Sequence, residues 1–321
     1  MRNSKKQSRI QNIELRHLYR VPGTILCRCP LPFLVVFLMT LVFTGAPAVV
    51  AQELMLRVSG PPPLGQPAAT VSGQLPLSRL ALGYRDMSRA WFAGPTQRYQ
   101  HGVLGDAIEA SRLVVDTTSG KRITVDLPPD RVFEDVEPRF VNLNGDQTDE
   151  ILVIESHLHR GASLAVYDLV GDRLVKISST PFIGKPYRWL NPVGVGDFDG
   201  DGSVDVALVA TPHIGGILRL YRVAGTHLAL FAEYSGVSTH TIGSTELGLG
   251  QVVSANPRDQ MLLPDQSRRR LMLLEWTSQG WREHGHVELP GVLESSLIPV
   301  GLKQWRFQLN TGIYFEIHVI Q

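Results

Sequence analysis

The length and composition of the chain favour a globular protein with a substantial core. Its 321 residues include 43% apolar and 19% charged side chains, which argues against global disorder. The formal charge is +1, but residues 1–51 hold seven Lys/Arg and one acid, so the remainder has 24 basic and 29 acidic residues, about −5. This mildly acidic body argues against nucleic acid as the main partner, because phosphate binding requires a basic surface.

The first 51 residues follow the order that is typical of a secretory signal peptide. A basic region precedes an apolar stretch at 31–43, and small residues follow it. The alternative is an uncleaved membrane anchor formed by residues 31–51, because the uncharged stretch is just long enough to span a bilayer. Pro32 and Pro47 interrupt that stretch, so cleavage is favoured. We therefore expect a periplasmic or secreted protein.

A repeat of about 55 residues dominates the remaining sequence. Residues 142–154 superpose without a gap on 197–209, at an offset of 55. Residues 161–171 superpose on 215–225 at an offset of 54, and a third copy of this part begins at 273. Self-similarity at such a period indicates supersecondary units that bury their faces against neighbouring units.

Each repeat predicts four short strands. In the clearest copy these are 193–197, 205–211, 217–223 and 227–234, with turn residues between them. The second strand is apolar on both faces, as expected in the middle of a packed sheet. The sequence therefore predicts an all-β fold, a β-propeller of four-stranded blades.

Counting the repeats predicts five blades, with four or six left open. Four blades are assigned to 98–137, 138–191, 192–248 and 249–297. The last piece has too few strands alone, and we expect a strand from the N-terminal segment 52–97 to complete it and close the ring. The two candidates for that strand are 53–58 and 88–92. The predicted propeller domain is therefore 98–321.

One turn of the repeat has the composition of a calcium-binding loop. Alternate carboxylates on a curling backbone converge on a cation, and calcium prefers such hard oxygen ligands. An EF-hand is excluded because its twelfth position is Leu208, inside an apolar strand. The alternative is a solvated Asp/Gly turn. The predicted ligands are Asp197, Asp199, Asp201, Ser203 and Asp205.

The equivalent turn of the preceding repeat is a weaker candidate. Amides replace two of the carboxylates, and Gln147 stands where the second glycine should be. Amide oxygens also bind calcium, so a second site and a metal-free turn are both open. The candidate ligands are Asn142, Asn144, Asp146, Thr148 and Glu150.

These loops and the strand after them resemble the FG-GAP/VCBS repeat family, whose propellers include the integrin α-subunit head. The resemblance rests on the Asp/Gly loop at 197–205 and on the apolar strand that ends at Pro212, and it extends loosely over 98–297. It implies a β-propeller with calcium in the loop between the first two strands of a blade. The chain also resembles exported bacterial VCBS-repeat proteins. Integrin-like adhesion is not implied.

No nucleophile or nucleotide motif lies in its required context, so the sequence predicts a protein without enzymatic activity. The histidine pairs 157/159 and 284/286 are interpreted as polar strand residues rather than a transition-metal site. Arg188, His213, His240 and Glu246 are the candidates for an acid/base pair assembled from distant loops, and the favoured interpretation of each is an ordinary turn or surface residue. We expect a calcium-binding interaction module whose partner is an envelope or extracellular protein or glycan. The alternative is an exported hydrolase with a site built from loops at the channel mouth.

Overall fold

Strands account for all the regular secondary structure of the described residues, which confirms the predicted all-β class. The computed structural model describes residues 52–63 and 69–320, and these belong to one compact unit, Val49–Gln321. In this part of the chain no helix is long and apolar enough to cross a membrane. The predicted signal peptide or anchor, residues 1–51, lies outside the described residues.

Hydrogen bonds join these strands into antiparallel sheets. Neighbours in a sheet are mostly neighbours along the chain, because short turns connect them. The strands, numbered in chain order, are β1 (Glu53–Ser59), β2 (Ala81–Leu82), β3 (Met87–Thr96), β4 (Glu109–Thr117), β5 (Arg122–Asp126), β6 (Arg131–Phe133), β7 (Arg139–Val141), β8 (Glu150–His157), β9 (Gly161–Val170), β10 (Arg173–Ser179), β11 (Leu190–Gly196), β12 (Asp205–Ala210), β13 (Ile217–Ala224), β14 (His227–Ser235), β15 (Gln251–Val253), β16 (Gln260–Pro264), β17 (Arg270–Thr277), β18 (Gly280–Glu288), β19 (Ile298–Gly301), β20 (Gln304–Gln308) and β21 (Tyr314–Ile320).

The repeat that is clearest in the sequence forms one four-stranded sheet in the order β11-β12-β13-β14, and the next repeat forms β15-β16-β17-β18. β12 is buried along its whole length. Val206, Leu208 and Ala210 pack against the preceding sheet, whereas Ala207 and Val209 pack against the following one. This double burial explains why the strand is apolar on both faces.

The first two repeats merge into a nine-stranded sheet. It consists of the groups β2–β5 and β7–β10, which the short β6 joins by pairing with β4 and β8. β2 and β3 lie before residue 98, the predicted start of the propeller; β2 pairs with β3, and β3 pairs with β4. The turn between β2 and β3 has no Asp/Gly loop, so the repeat signal does not extend to it.

The last sheet combines the two ends of the described chain. β1 pairs with β21 from Glu53 opposite Ile320 to Ser59 opposite Tyr314, and the sheet order is β1-β21-β20-β19. Of the two candidates for the closing strand, 53–58 is the one that pairs here. The other candidate, 88–92, lies within β3 of the first group.

Apolar side chains fill the spaces between successive sheets. Ile154 and Leu164 pack with Leu208 in one layer, and Leu218 packs with Met261 in the next. The layer after that joins β16 and β17 to β20 and β21. Four-stranded antiparallel sheets that stack face to face in this way are consistent with the blades of a β-propeller.

Candidate functional site

The loop between β11 and β12 carries the five ligands predicted at 197–205. It leaves the sheet after Gly196 and returns at Asp205, the first residue of β12. Gly200 and Gly202 have φ values of +78° and +85°, in the left-handed region that glycine adopts without steric cost. These two residues allow the backbone to reverse within the short loop.

Backbone N–H groups of the loop donate to its own carboxylates. Asp197 Oδ1 accepts from the N–H of Gly200 at 2.7 Å. Two further N–H groups bind the carboxylates of Asp199 and Asp201 at 3.1 and 2.7 Å. Such Asx turns fix the loop conformation before any ligand binds.

Three of the five predicted ligands form a cluster. One carboxylate oxygen from each of Asp197, Asp199 and Asp205 lies within 4.8 Å of the other two. Asp205 is buried, and the other two are partly exposed. Asp201 is not part of this cluster, and its carboxylate and Ser203 are exposed to solvent. A compact set of hard oxygen donors fits calcium or a similar hard cation.

The charges of the cluster are only partly compensated. Burial, together with the nearby Asp199 carboxylate, raises the pKa of Asp205 to about 7. Arg222 from β13 donates to Asp199 Oδ2 at 2.6 Å and offsets part of the negative charge. A hydrogen bond from the Ser203 N–H lowers the pKa of the exposed Asp201. A cation between the three carboxylates would therefore stabilise Asp205 in its ionised form.

The following blade also supports the loop. Asp259 Oδ2 accepts from the N–H of Asp197 at 3.0 Å, and the Asp259 N–H donates to the Asp197 carbonyl at 2.8 Å. Arg258 Nε donates to the Asp199 carbonyl at 2.9 Å. Gly196 allows this approach, because a Cβ there would lie 2.6 Å from Asp259 Oδ2. Sequence reasoning missed these contacts, since 252–259 reads as a plain turn.

The loop between β7 and β8 repeats the same backbone pattern. Asn142 Oδ1 accepts from Gly145 at 2.6 Å, as Asp197 does from Gly200. Glu150, at the position of Asp205, is buried and accepts from the N–H of Leu143 at 2.8 Å. The two loops are therefore structural equivalents at the offset found in the sequence.

In the loop at 142–150, however, amide side chains stand where the loop at 197–205 has carboxylates, and they donate hydrogen bonds within the loop. Asn144 Nδ2 donates to Asp146 Oδ2 at 2.9 Å, and Asn142 Nδ2 donates to the Asp146 carbonyl at 2.7 Å. Hydrogen bonds from Thr148 lower the pKa of Asp146. Burial raises the pKa of Glu150. Among the described residues, this loop brings no three acidic groups within ligating distance of one another.

The preceding blade compensates the charge of the second loop. Arg85, in the β2–β3 turn, forms an ion pair with Asp149. The neighbouring Asp86 accepts the Asp149 N–H at 2.9 Å. These interblade contacts support the turn in the same conformation as the loop at 197–205.

The two loops border one cleft. Its volume is about 420 Å³, and it is open to solvent. Its lining residues come from both loops and from β13 and include Asn144, Gly145, Asp201, Ser203 and Arg222.

The polar residues interpreted as turn residues lie in more varied surroundings. The rings of His213 and His240 are 4.9 Å apart between centroids. Glu246 accepts a hydrogen bond from Ser296 Oγ at 2.5 Å, and Arg188 donates to the carbonyl of Tyr187. The positions of His213 and His240 in the sequence did not predict that their rings lie side by side.

The paired histidines of the strands have acidic neighbours. His157 lies 3.4 Å from Asp130, and its ring centroid is 6.0 Å from that of His159. His284 binds Glu275 at 2.5 Å, and His286 binds Glu283 at 2.7 Å. In the described part of the chain neither pair belongs to a group of three metal-ligating residues.

Comparison with known families gives a match that covers both loops. A family model described as FG-GAP-like repeat matches residues 142–208. The chain contains an FG-GAP-like repeat. This confirms the resemblance to the FG-GAP family. No curated protein matches the sequence.

The FG-GAP-like repeat begins at Asn142, the first residue of the second loop, and ends at Leu208 within β12. It therefore covers both loops and the strands β8 to β11 between them. The matched segment contains the three clustered carboxylates of the loop at 197–205.

Proposed function

We propose that the protein is an exported, calcium-binding β-propeller that acts as a binding module for another protein. Five four-stranded groups support a five-bladed ring: β2–β5, β7–β10, β11–β14, β15–β18 and β19–β21 with β1. The pairing of β1 with β21 supports closure of that ring by the N-terminal strand.

Calcium binding is proposed at Asp197, Asp199 and Asp205. The observation that supports it is the convergence of three carboxylates, one of them buried with a pKa raised to about 7. Desolvated carboxylates in contact repel one another, and a divalent cation removes that repulsion. Calcium would link the loop to the start of β12 and contribute to stability rather than to chemistry.

Export is proposed from the N-terminal sequence. A cleaved signal peptide predicts that the protein isolated from the cell envelope begins near Gln52 and is soluble without detergent. N-terminal sequencing and membrane fractionation test this. Recovery of the intact N-terminus with the membrane fraction would instead support the anchor.

The binding role is supported by exposed apolar side chains at one end of the sheets. Because adjacent strands are antiparallel, the β10–β11, β12–β13 and β14–β15 connections lie at the end opposite the Asp/Gly loops. Tyr187, Ile214 and Ile242, one in each connection, are 48%, 59% and 65% exposed. Exposed apolar residues at one end of the sheets favour contact with a protein over contact with sugar hydroxyls.

Affinity capture from the cell envelope tests the binding role. We expect the protein to retain a specific partner protein, and the double variant Ile214→Asp/Ile242→Asp to lose it. Leu302→Asp is the matched control, since Leu302 is 90% exposed in the β19–β20 turn. Retention of the partner by the double variant, or its release by soluble glycans, would contradict the proposal.

A hydrolase is the second candidate, and one observation favours it. His101 Nδ1 lies 2.5 Å from Glu134 Oε1, and the Glu134 side chain is fully buried. A carboxylate that orients an imidazole is the arrangement of a general base. Turnover of glycosides, esters or phosphoesters that is lost in His101→Gln would support this candidate against the predicted absence of activity.

A further inference from the structure

His213 and His240 bring two imidazole rings together from separate connections of the same end. His213 lies in the β12–β13 turn and His240 in the β14–β15 connection. Both rings pack against the buried Trp189, with ring centroids 6.3 and 4.8 Å away. The indole therefore restricts the orientation of both histidines.

Hydrogen bonds to carbonyl groups fix the tautomer of each ring. His240 Nε2 lies 2.8 Å from the Ser244 carbonyl, and His213 Nδ1 lies 3.3 Å from the His240 carbonyl. A carbonyl oxygen only accepts, so each of these nitrogens carries the proton. In the neutral rings, the lone pairs are consequently on His213 Nε2 and His240 Nδ1.

The two nitrogens with lone pairs are buried. Neither His213 Nε2 nor His240 Nδ1 has a hydrogen-bond partner among the described residues. Burial also lowers the pKa of both histidines to about 4, so both rings are neutral near pH 7. Two fixed, neutral imidazoles with free lone pairs have the form in which histidine binds metals.

We propose that His213 and His240 bind a divalent transition-metal ion of the zinc class, at a site distinct from the Asp/Gly loop. Imidazole nitrogen is a preferred ligand of Zn²⁺, Cu²⁺ and Ni²⁺. Two imidazoles on one tetrahedral ion, with zinc–nitrogen distances of about 2.0–2.1 Å, place their ring centres about 5 Å apart. The observed separation is 4.9 Å. The carbonyls of Ser244 and His240 then act as the outer hydrogen-bond acceptors that metal-ligating histidines typically have.

The surroundings indicate what completes the coordination. The guanidinium of Arg268 donates to Thr241 Oγ1, beside His240, and burial lowers the pKa of this arginine. A nearby positive charge weakens cation binding and favours an anionic non-protein ligand such as hydroxide or a carboxylate. We therefore expect Arg268→Gln to bind the metal more tightly than the unmodified protein.

The test is titration of the untagged protein with Zn²⁺ and Co²⁺ in excess calcium, which saturates the Asp/Gly loop. We expect one Zn²⁺ per chain by calorimetry and Co²⁺ absorption bands with imidazole ligation. His240→Gln retains a donor for the Ser244 carbonyl, and His213→Asn retains a donor for the His240 carbonyl. Both variants remove the ligating lone pair, and each should abolish saturable binding while leaving the thermal midpoint in calcium within a few degrees.

His157→Gln and His284→Gln are the matched controls, because they remove one histidine from each strand pair. Both should bind Zn²⁺ as the unmodified protein does. Absence of a saturable zinc site, as expected if only water bridges the two nitrogens, would overturn the proposal. Undiminished binding in both His240→Gln and His213→Asn would also overturn it.

Discussion

Asp205 and Glu150 occupy equivalent positions in two loops, and both are buried. Asp205 has the carboxylates of Asp197 and Asp199 beside it, whereas amides stand at the positions equivalent to these two residues near Glu150. Amides carry N–H donors, so the second loop satisfies its own oxygens, as Asn144 does for Asp146. We therefore predict that the exchange of acid for amide makes the loop at 142–150 a weaker cation site than the loop at 197–205.

We predict that calcium stabilises the protein through the loop at 197–205 and not through the loop at 142–150. With about 1 mM calcium and a dissociation constant near 0.1 mM, one site contributes about 1.4 kcal/mol, a melting shift of a few degrees. Asp199→Ala should remove most of the shift that chelation causes. Differential scanning calorimetry with calcium and with EDTA measures this.

Asn144→Ala is the control for that prediction. It removes an amide at the equivalent position of the second loop and should leave the calcium-dependent shift nearly unchanged. Equal losses in the two variants would contradict the ranking of the loops. A protein whose melting temperature does not depend on calcium would contradict the metal assignment itself.

At the scale of elements, one carboxylate connects the strands of the last sheet. Glu316 on β21 binds Arg57 of β1 at 2.5 Å, Arg306 of β20 at 2.6 Å and His318 at 2.5 Å. Its side chain is 2% exposed. Hydrogen bonds from Arg306 and His318 lower its pKa to about 2, from an ordinary value of 4.5. This group therefore links the N-terminal strand to the C-terminal ones.

The lowered pKa of Glu316 predicts a pH dependence of stability. Because the folded-state pKa is below the unfolded-state value, the contribution is complete above pH 4.5 and is lost as the pH falls towards about 2. Glu316→Gln should lower the free energy of unfolding at pH 7 by on the order of 2 kcal/mol. Urea unfolding at pH 7 and pH 3 should give a smaller difference between the two proteins at pH 3.

Asp126→Asn is the matched control at an exposed ion pair. Asp126 pairs with Arg112 at 2.6 Å, and both side chains are largely exposed. Solvent screens such a pair, so the substitution should change stability little at either pH. A loss in Asp126→Asn as large as that in Glu316→Gln would refute the role of burial.

At the scale of the whole molecule, the pairing of β1 with β21 joins the two ends of the described chain. Leu54 and Val58 lie on the same face of β1, near opposite ends of the strand. Leu54 is 9% exposed and packs in the core of the last two sheets, whereas Val58 is 70% exposed. This difference allows a test of whether β1 contributes to global stability.

We predict that Leu54→Asp detaches β1 and destabilises the entire propeller. Burying a carboxylate without a partner, together with losing a leucine, costs about 3 kcal/mol or more and lowers the melting temperature by about 10 °C. Val58→Asp should change the melting temperature by less than about 2 °C. A separate low-temperature transition in Leu54→Asp, with the main one unchanged, would contradict ring closure by β1.

The repeat allowed most of the fold to be predicted from the sequence alone. A doubly apolar strand such as 206–210 needs a sheet on each side, and the 55-residue spacing sets where its equivalents lie. The Asp/Gly loop was recognisable for the same reason, because the ligands of a short loop are close in sequence. Local patterns of this kind can be recognised in a sequence without any knowledge of distant contacts.

Only the tertiary structure decided which distant residues meet. Arg222 and Asp259 support the Asp/Gly loop from another strand and another blade, and His213 meets His240 across two connections. β3, which precedes the predicted boundary at residue 98, pairs with β4, and this pairing leaves no repeat signal in the sequence. Contacts between blades depend on how the sheets stack. A single sequence does not show which residues of different blades come into contact.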